Sequence, residues 1–295
     1  MRTDIKDAIT GKLLSTIINE GGLVLDFREP TGPIASPDYD EVVKELESRQ
    51  LGEGLSPSEP FTPQKTSGGY GSLSFSTDAA ELAWEIWASG YADDGIVIQP
   101  KIDGWRLSAS KRGDKVWMFS EDAKRNIASK LPLVAEDLKA LKPSSLILDG
   151  ELVLYAEEAV SLNNDYKVGG KIERMDMPSF LVADKPIAKF RPSYLAFDLL
   201  YKDGKDLHEL PQDERLKLLH EVLNPVDTKV VKEIESRTIS SKSEFLKAVK
   251  WASELPNMEG AMLKVASSSY SLSGKSRFIA KLKNFKELKD RKSVV

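Results

Sequence analysis

Residues 99–110 read QPKIDGWRLSAS, and the lysine inside this stretch decides how the whole chain is read. Lys101 ends the apolar run GIVIQPKI (95–102) and stands two positions before Asp103-Gly104, with Trp105 and Arg106 following. GIVIQPKI and WRLSAS (105–110) have the composition of strands, so Lys101 falls in β structure beside a tight turn. A charge there is costly unless it is paired or put to use.

The same conflict recurs downstream. SLILDGELVLY (145–155) carries Asp149 and Glu151, SYLAFDLLY (193–201) carries Asp198, EGAMLKVA (259–266) carries Glu259 and Lys264, and AKLK (280–283) carries Lys281 and Lys283. Residues two apart in a strand share a face, so Lys101 with Asp103, Asp149 with Glu151, and Lys281 with Lys283 point together. For any one strand, an outward residue of a half-exposed sheet is explanation enough. Gathered into one cleft, the five strands offer several carboxylates and at least four cations, which suits Mg²⁺ and a triphosphate.

Composition narrows the chemistry. The 295 residues include no cysteine and two histidines, His208 and His220. Thiolate sites, disulfides and a cysteine nucleophile are excluded, and a metal would be held by oxygen. MRTDIKDAIT (1–10) lacks the apolar centre of a signal peptide, and no apolar run reaches the roughly 20 residues that span a bilayer. The expectation is a soluble, cytoplasmic protein without membrane partners. Net charge is −4, yet residues 275–292 hold eight basic side chains against Glu287 and Asp290, a local +6 that leaves −10 elsewhere. Such a strip follows a polyanion or merely solubilises a tail.

Residues 1–75 read as a separate, mainly helical and loop layer, ahead of a domain over 76–295. SPDYDEVVKELESRQ (36–50) predicts a helix with Pro37 in its first turn. LGEGLSPSEPFTPQKTSGGYGS (51–72) predicts a loop. DAAELAWEIWASGY (78–91) predicts a helix with Leu82, Ile86 and Trp87 on one side, stopped at Gly90. Further helices are predicted over 131–141, 210–223 and 240–255, the last opening with a Ser241–Glu244 capping box. KRGD (111–114) predicts a hairpin turn before the strand KVWMFS (115–120). Strands interspersed with helices indicate an α+β class.

In order, KIDGWR, LDGELV, YLAFDLLYKDGKDL, EGAMLK and KSRFIAKLK resemble the motifs of the covalent nucleotidyltransferases, the ATP-dependent DNA ligases in particular. The resemblance covers about residues 96–284. K-x-D-G alone is weak, while five motifs in order are specific. The resemblance implies an adenylation domain of the DNA ligase and mRNA-capping type, with antiparallel sheets flanked by helices in an ATP-grasp-like arrangement. It implies that Lys101 attacks ATP, forms lysyl-AMP, passes AMP to the 5′-phosphate of nicked double-stranded DNA, and that the 3′-OH then seals the nick. Cations such as Arg106, Lys264 and Lys281, with Mg²⁺, would favour the neutral amine of the nucleophile.

The resemblance also distributes roles. Gln99 is placed to read the adenine, Ile102 to line the nucleotide pocket and Arg106 to contact the ribose or the 3′-OH side. Glu151 holds a ribose hydroxyl or a metal-bound water. Phe197 packs on the adenine ring or simply in the core. Glu259 binds Mg²⁺, and Lys264, Lys281 and Lys283 hold phosphates. For Asp103 and Asp149, fixing the turn and strand ends stands beside a functional role. Two departures are visible. FSEDAKRN (119–126) has Glu121 where the family carries arginine, leaving Lys124 or Arg125 to reach that place. Twelve residues follow Lys283, where the family continues into an OB-fold. The expectation is an isolated adenylation domain, a shortened gene product, or a chain whose OB-fold function comes from a partner protein or domain; a monomer is expected. An RNA ligase, a capping-type enzyme and a non-catalytic DNA-end-binding module are the competing readings.

Overall fold

The computed structural model describes residues 2–6, 13–20, 23–28, 54–66, 73–74, 77–121, 125–162, 165–174, 176–177, 181, 190–256, 258–272 and 274–283. The chain divides into two compact units, Met1–Gly54 and Leu55–Val295. In the first, β1 (Arg2–Lys6), β2 (Leu13–Glu20) and β3 (Leu23–Arg28) form an antiparallel sheet in that order. These residues are strands, not the helical layer expected from sequence. The β-branched run Thr16-Ile17-Ile18 favours extension, and Glu20 pairs with Leu23 across the two-residue Gly21-Gly22 connection. The helix expected over 36–50 lies outside the described residues. Residues 55–66, read from sequence as part of the first layer, belong to the second unit.

The strands of the second unit begin with β4 (Lys65–Thr66), β5 (Leu73–Ser74), β6 (Ile96–Ile102), β7 (Trp105–Arg112) and β8 (Lys115–Ser120). They continue with β9 (Ser145–Leu162), β10 (Asp165–Lys171), β11 (Phe190–Lys202), β12 (Lys205–Asp206) and β13 (Val231–Glu233). The last are β14 (Arg237–Ile239), β15 (Met258–Val265), β16 (Lys275–Ser276) and β17 (Ile279–Lys283). A five-stranded sheet runs β14-β6-β15-β17-β5, and a seven-stranded sheet runs β12-β11-β9-β7-β8 with β10 beside β9 and β13 beside β11. Short β16 and β4 pair in parallel. The other pairs are antiparallel except β11–β13 and β17–β5. The chain changes sheets at KIDGWR: Ile102 ends a strand of one sheet and Trp105 begins a strand of the other.

Period-two alternation divides the five-stranded sheet into two faces. Ile96, Ile98, Ala261, Leu263, Val265, Ala280 and Leu282 pack against α1 (Thr77–Ile86) and α4 (Lys242–Glu254). Gln99, Lys101, Met262, Lys264 and Lys281 take the opposite face and line a cleft. The seven-stranded sheet buries Leu107, Leu148, Leu152 and Ala196 against α2 (Pro132–Ala140) and α3 (Gln212–Leu223). Ser241 caps α4 by accepting from the Glu244 N–H, as the capping box predicts. In α1 the buried side chains are Ala80 and Ala83, with Trp87 just beyond its end; Leu82 points outward, 44% exposed, contrary to the face assigned from sequence.

Two motif glycines are fixed by sterics. A Cβ on Gly150 would lie 2.5 Å from Cζ of Tyr194. That buried hydroxyl donates to the Leu107 carbonyl at 2.9 Å, which holds the ring in place. Gly260 has φ +138°, and a Cβ there would lie 1.9 Å from the Leu282 carbonyl oxygen. It also sits between Lys101 and Lys283 in one cross-strand row, so its missing side chain leaves room for theirs. Gly260→Ala and Gly150→Ala are each predicted to lower unfolding free energy by about 1–3 kcal/mol through overpacking and strain, read from the urea midpoint. A wild-type midpoint in Gly260→Ala would contradict this row geometry.

Candidate active site

The cleft between the two sheets has a volume of ≈ 390 Å³. The five-stranded sheet supplies Gln99, Lys101, Met262, Lys264 and Lys281; the seven-stranded sheet supplies Arg106, Glu151 and Phe197. Two β-bulges place residues that simple alternation would misplace. β15 shifts register between Met258, opposite Ile102, and Gly260, opposite Lys101. Glu259 is the extra residue, and its Oε2 accepts from Lys101 Nζ at 2.5 Å. Lys283 Nζ lies 3.8 Å from the same oxygen. β11 shifts between Ala196 and Asp198, so Asp198 rather than Phe197 stands opposite Asp149. Bulges redirect side chains in this way beside functional sites.

Arg106 is almost fully committed. Nε and Nη2 donate to the two Asp149 oxygens at 3.1 and 2.6 Å, Nη1 donates to the Gln64 carbonyl at 2.6 Å, and Nη2 donates to the Tyr270 hydroxyl at 3.2 Å. A guanidinium has five N–H groups, so one on Nη1 remains for a ligand. Burial works against its charge, but Asp149, with Tyr270 and Glu121, outweighs that and raises its pKa above the ordinary arginine value. Asp149 is wholly buried and also accepts from the Tyr270 hydroxyl at 2.6 Å, so both of its oxygens are taken up within the protein. Asp103 likewise does not join Lys101 in the cleft. β6 ends at Ile102, the chain turns, and Asp103 accepts from Lys171 Nζ on β10 at 2.6 Å. Asp198 is taken by Arg215 of α3 through bonds of 2.8 and 3.1 Å.

Gln99 is 2% exposed, and its amide nitrogen donates to the Ser236 hydroxyl at 2.9 Å and the Phe197 carbonyl at 3.3 Å. This leaves its carbonyl oxygen as the acceptor for a ligand. Ile102 lines the cleft and anchors a small apolar cluster with Val153 and Ile234, against which Phe197 packs. Lys264 Nζ lies 4.8 Å from the Phe197 ring centre and Arg106 Cζ lies 5.5 Å from it. Phe197 thus serves the core and the cleft together. Burial lowers the Lys264 pKa to about 8, despite Asp198 and Asp149 nearby. Burial, then the neighbouring cations Lys283 and Lys101, lower that of Lys281. Burial raises Glu151 to about 7, against the pull of Lys101, Arg106 and Arg174.

Sequence reasoning missed Arg174 and the stretch Gln64-Lys65-Thr66, all of which line the cleft. Arg174 lies past the end of β10, and 64–66 lies in a Gly/Pro/Ser-rich segment with no periodic signal. Glu121 lines the cleft and is ion-paired with Lys65. Arg125 is not among the lining residues, and Lys124 lies outside the described ones. Among the described residues Arg174, Lys264 and Lys281 make no hydrogen bond or ion pair. Unpaired cations converging on a cavity favour a polyanionic ligand. No group of three or more His, Asp or Glu side chains among the described residues forms a ready metal cage. Glu151, lining the cleft, and Glu259, bonded to Lys101, are oxygen donors of the kind that Mg²⁺ takes. No helix among the described residues is long and apolar enough to cross a membrane.

Glu151 binds its proton more tightly folded than unfolded. The stability this contributes is full below about pH 4.5 and is lost as pH rises through about 7. Between those values wild type is predicted to lose up to about 1.4 kcal/mol per pH unit relative to Glu151→Gln in metal-free urea titrations. Parallel curves would contradict the raised pKa.

The model of the family described as ATP dependent DNA ligase domain matches residues 86–283. The DNA ligase of Sulfolobus acidocaldarius is 26% identical over 171 residues, covering 58% of this chain and 26% of that protein. DNA ligase 2 of Thermofilum pendens is 30% identical over 131 residues, covering 44% of this chain and 21% of that protein. The structure of mycobacterial DNA ligase D complexed with ATP and MES aligns at a TM-score of 0.48 and 20% identity, covering 76% of this chain and 60% of that one. The chain spans about a quarter of the length of these two curated relatives. With the family model covering residues 86–283, and with the cleft assembled from the same segments, the chain belongs to the family of ATP-dependent DNA ligase domains.

Proposed function

We propose that this chain is the adenylation unit of a DNA ligase, with Lys101 as the nucleophile. The observation that carries the proposal is the placement of a lysine amine at the junction of two sheets, in a cleft where, among the described residues, Arg174, Lys264 and Lys281 make no hydrogen bond or ion pair. In the first step Lys101 Nζ loses a proton and attacks the α-phosphorus of ATP. A P–N bond forms, the bond to the β-phosphate oxygen breaks, and pyrophosphate leaves. The AMP passes to the 5′-phosphate of nicked double-stranded DNA, and the 3′-OH displaces it as the phosphodiester forms.

The residues divide the work. Gln99 offers its carbonyl oxygen to the adenine amino group, while Ile102 and Phe197 give the base an apolar wall. Arg106 has one N–H for the ribose side, and its other four hold the cleft together. Lys264, Lys281 and Lys283 neutralise phosphate charge as it builds up during transfer. Glu259 and Glu151 are the residues that would hold Mg²⁺, which when bound supplies further charge neutralisation on phosphate oxygens. Glu259 also orients the Lys101 amine before substrate arrives. Completion of a clamp around the nick by a partner protein or OB-type domain is part of the proposal.

Lys101→Ala is predicted to abolish the mass gain of one AMP on incubation with ATP and Mg²⁺, and to lower ATP-driven nick joining by about 10³-fold or more. Intact-mass spectrometry and a labelled nicked duplex read the two effects. Adenylation or joining that survives in Lys101→Ala would remove Lys101 from the reaction.

A further inference from the structure

Lys65 and Glu121 face each other at the cleft, and the reaction as described uses neither. Lys65 lies outside the family-matched residues 86–283, in a segment whose backbone is firmly held. Its N–H donates to the Gly274 carbonyl at 2.9 Å, and β4 pairs with β16. On the preceding residue, the Gln64 carbonyl accepts from Arg106 at 2.6 Å, its N–H donates to the Tyr270 hydroxyl at 3.1 Å, and its side-chain oxygen accepts from the Ser271 N–H at 3.0 Å. The side chain of Lys65 is different. It is 52% exposed and its ion pair is with Glu121, 18% exposed, at the end of β8. A half-exposed pair of this kind adds little to stability, so its partner is exchangeable. The cleft that both residues line is cationic, with six basic side chains against two carboxylates. A phosphate entering it meets Glu121 as a repulsive charge and Lys65 as an attractive one.

We propose that Lys65 is a phosphate-binding residue of this cleft, held by Glu121 in the free protein and exchanged onto a substrate phosphate. The assignment rests on the phosphate-binding reading of the cleft and adds to it a residue from outside the matched region. The phosphate belongs either to ATP or to the DNA end.

The test uses the full chain and the variants Lys65→Gln and Glu121→Gln. Titration calorimetry with inorganic tripolyphosphate reads the site without any adenylation. Lys65→Gln is expected to weaken binding about tenfold, and Glu121→Gln to tighten it. Opposite signs distinguish exchange from a structural pair, for which both variants would shift alike. The KM for ATP in lysyl-AMP formation, and the sealing of a pre-adenylated nick, then tell the two phosphate sources apart. Equal tripolyphosphate affinity in Lys65→Gln and wild type, no binding by wild type, or weakening in Glu121→Gln would overturn the assignment. A wild type that binds tripolyphosphate with the expected variant pattern but gains no AMP would instead sink the ligase reading and leave Lys65 as a phosphate ligand.

Discussion

The ion pair between Arg106 and Asp149 is the contact on which the cleft depends. Asp149 is fully buried, and its two oxygens take the guanidinium in a forked arrangement completed by the Tyr270 hydroxyl. Burying both charges costs several kcal/mol per ion, repaid only if geometry is good and the remaining hydrogen-bonding groups are satisfied. Here they are satisfied by groups that come from far apart in the chain. Gln64 precedes the family motifs, Tyr270 stands between the last two of them, and β7 and β9 lie between these residues in the chain. The pair thus ties the loop wall of the cleft to the sheet that carries Glu151 and Phe197. Removing Asp149 would leave a buried guanidinium uncompensated, a loss of about 3–5 kcal/mol.

On this scaffold the proposed nucleophile is held rather than free. Lys101 is bound to Glu259, and Glu259 is there because a bulge adds one residue to β15. The carboxylate fixes the amine in the cleft while holding it in a hydrogen bond that attack must break. In the proposed reaction, phosphate with metal would compete for Glu259, so binding and activation would be coupled through one carboxylate. Burial adds a second coupling, because it pushes Glu151 up to about 7 and Lys264 down to about 8. Both groups are then easily shifted by an arriving charge.

Much of the fold and most of the site were legible in the sequence, for a physical reason. Strand alternation puts Lys281 with Lys283 on one face, and the structure keeps that row. The hairpin at KRGD is also found, with Arg112 opposite Lys115 and Gly113 at φ +57°. What alternation cannot show is register. Glu259 and Phe197 owe their positions to bulges set by neighbouring strands, and Asp103 leaves the cleft because its strand has already ended. Asp198 looked available until Arg215, on a helix read only as amphipathic, proved to be its partner. Lys65 was hidden because an aperiodic segment gives no sign of where tertiary contacts carry it. The strands at 2–28 were missed although LLSTIINE and LVLDFR, joined by Gly-Gly, carry the signal.

The central claim is that Lys101, among several lysines of one cleft, is the group that takes up AMP. Peptide mapping by tandem mass spectrometry, after incubation of the full chain with ATP and Mg²⁺, tests it most directly. The account predicts AMP on the peptide containing Lys101, joined through Nζ and released by acid. AMP on Lys264 or Lys281 instead, or on no lysine at all, would contradict it.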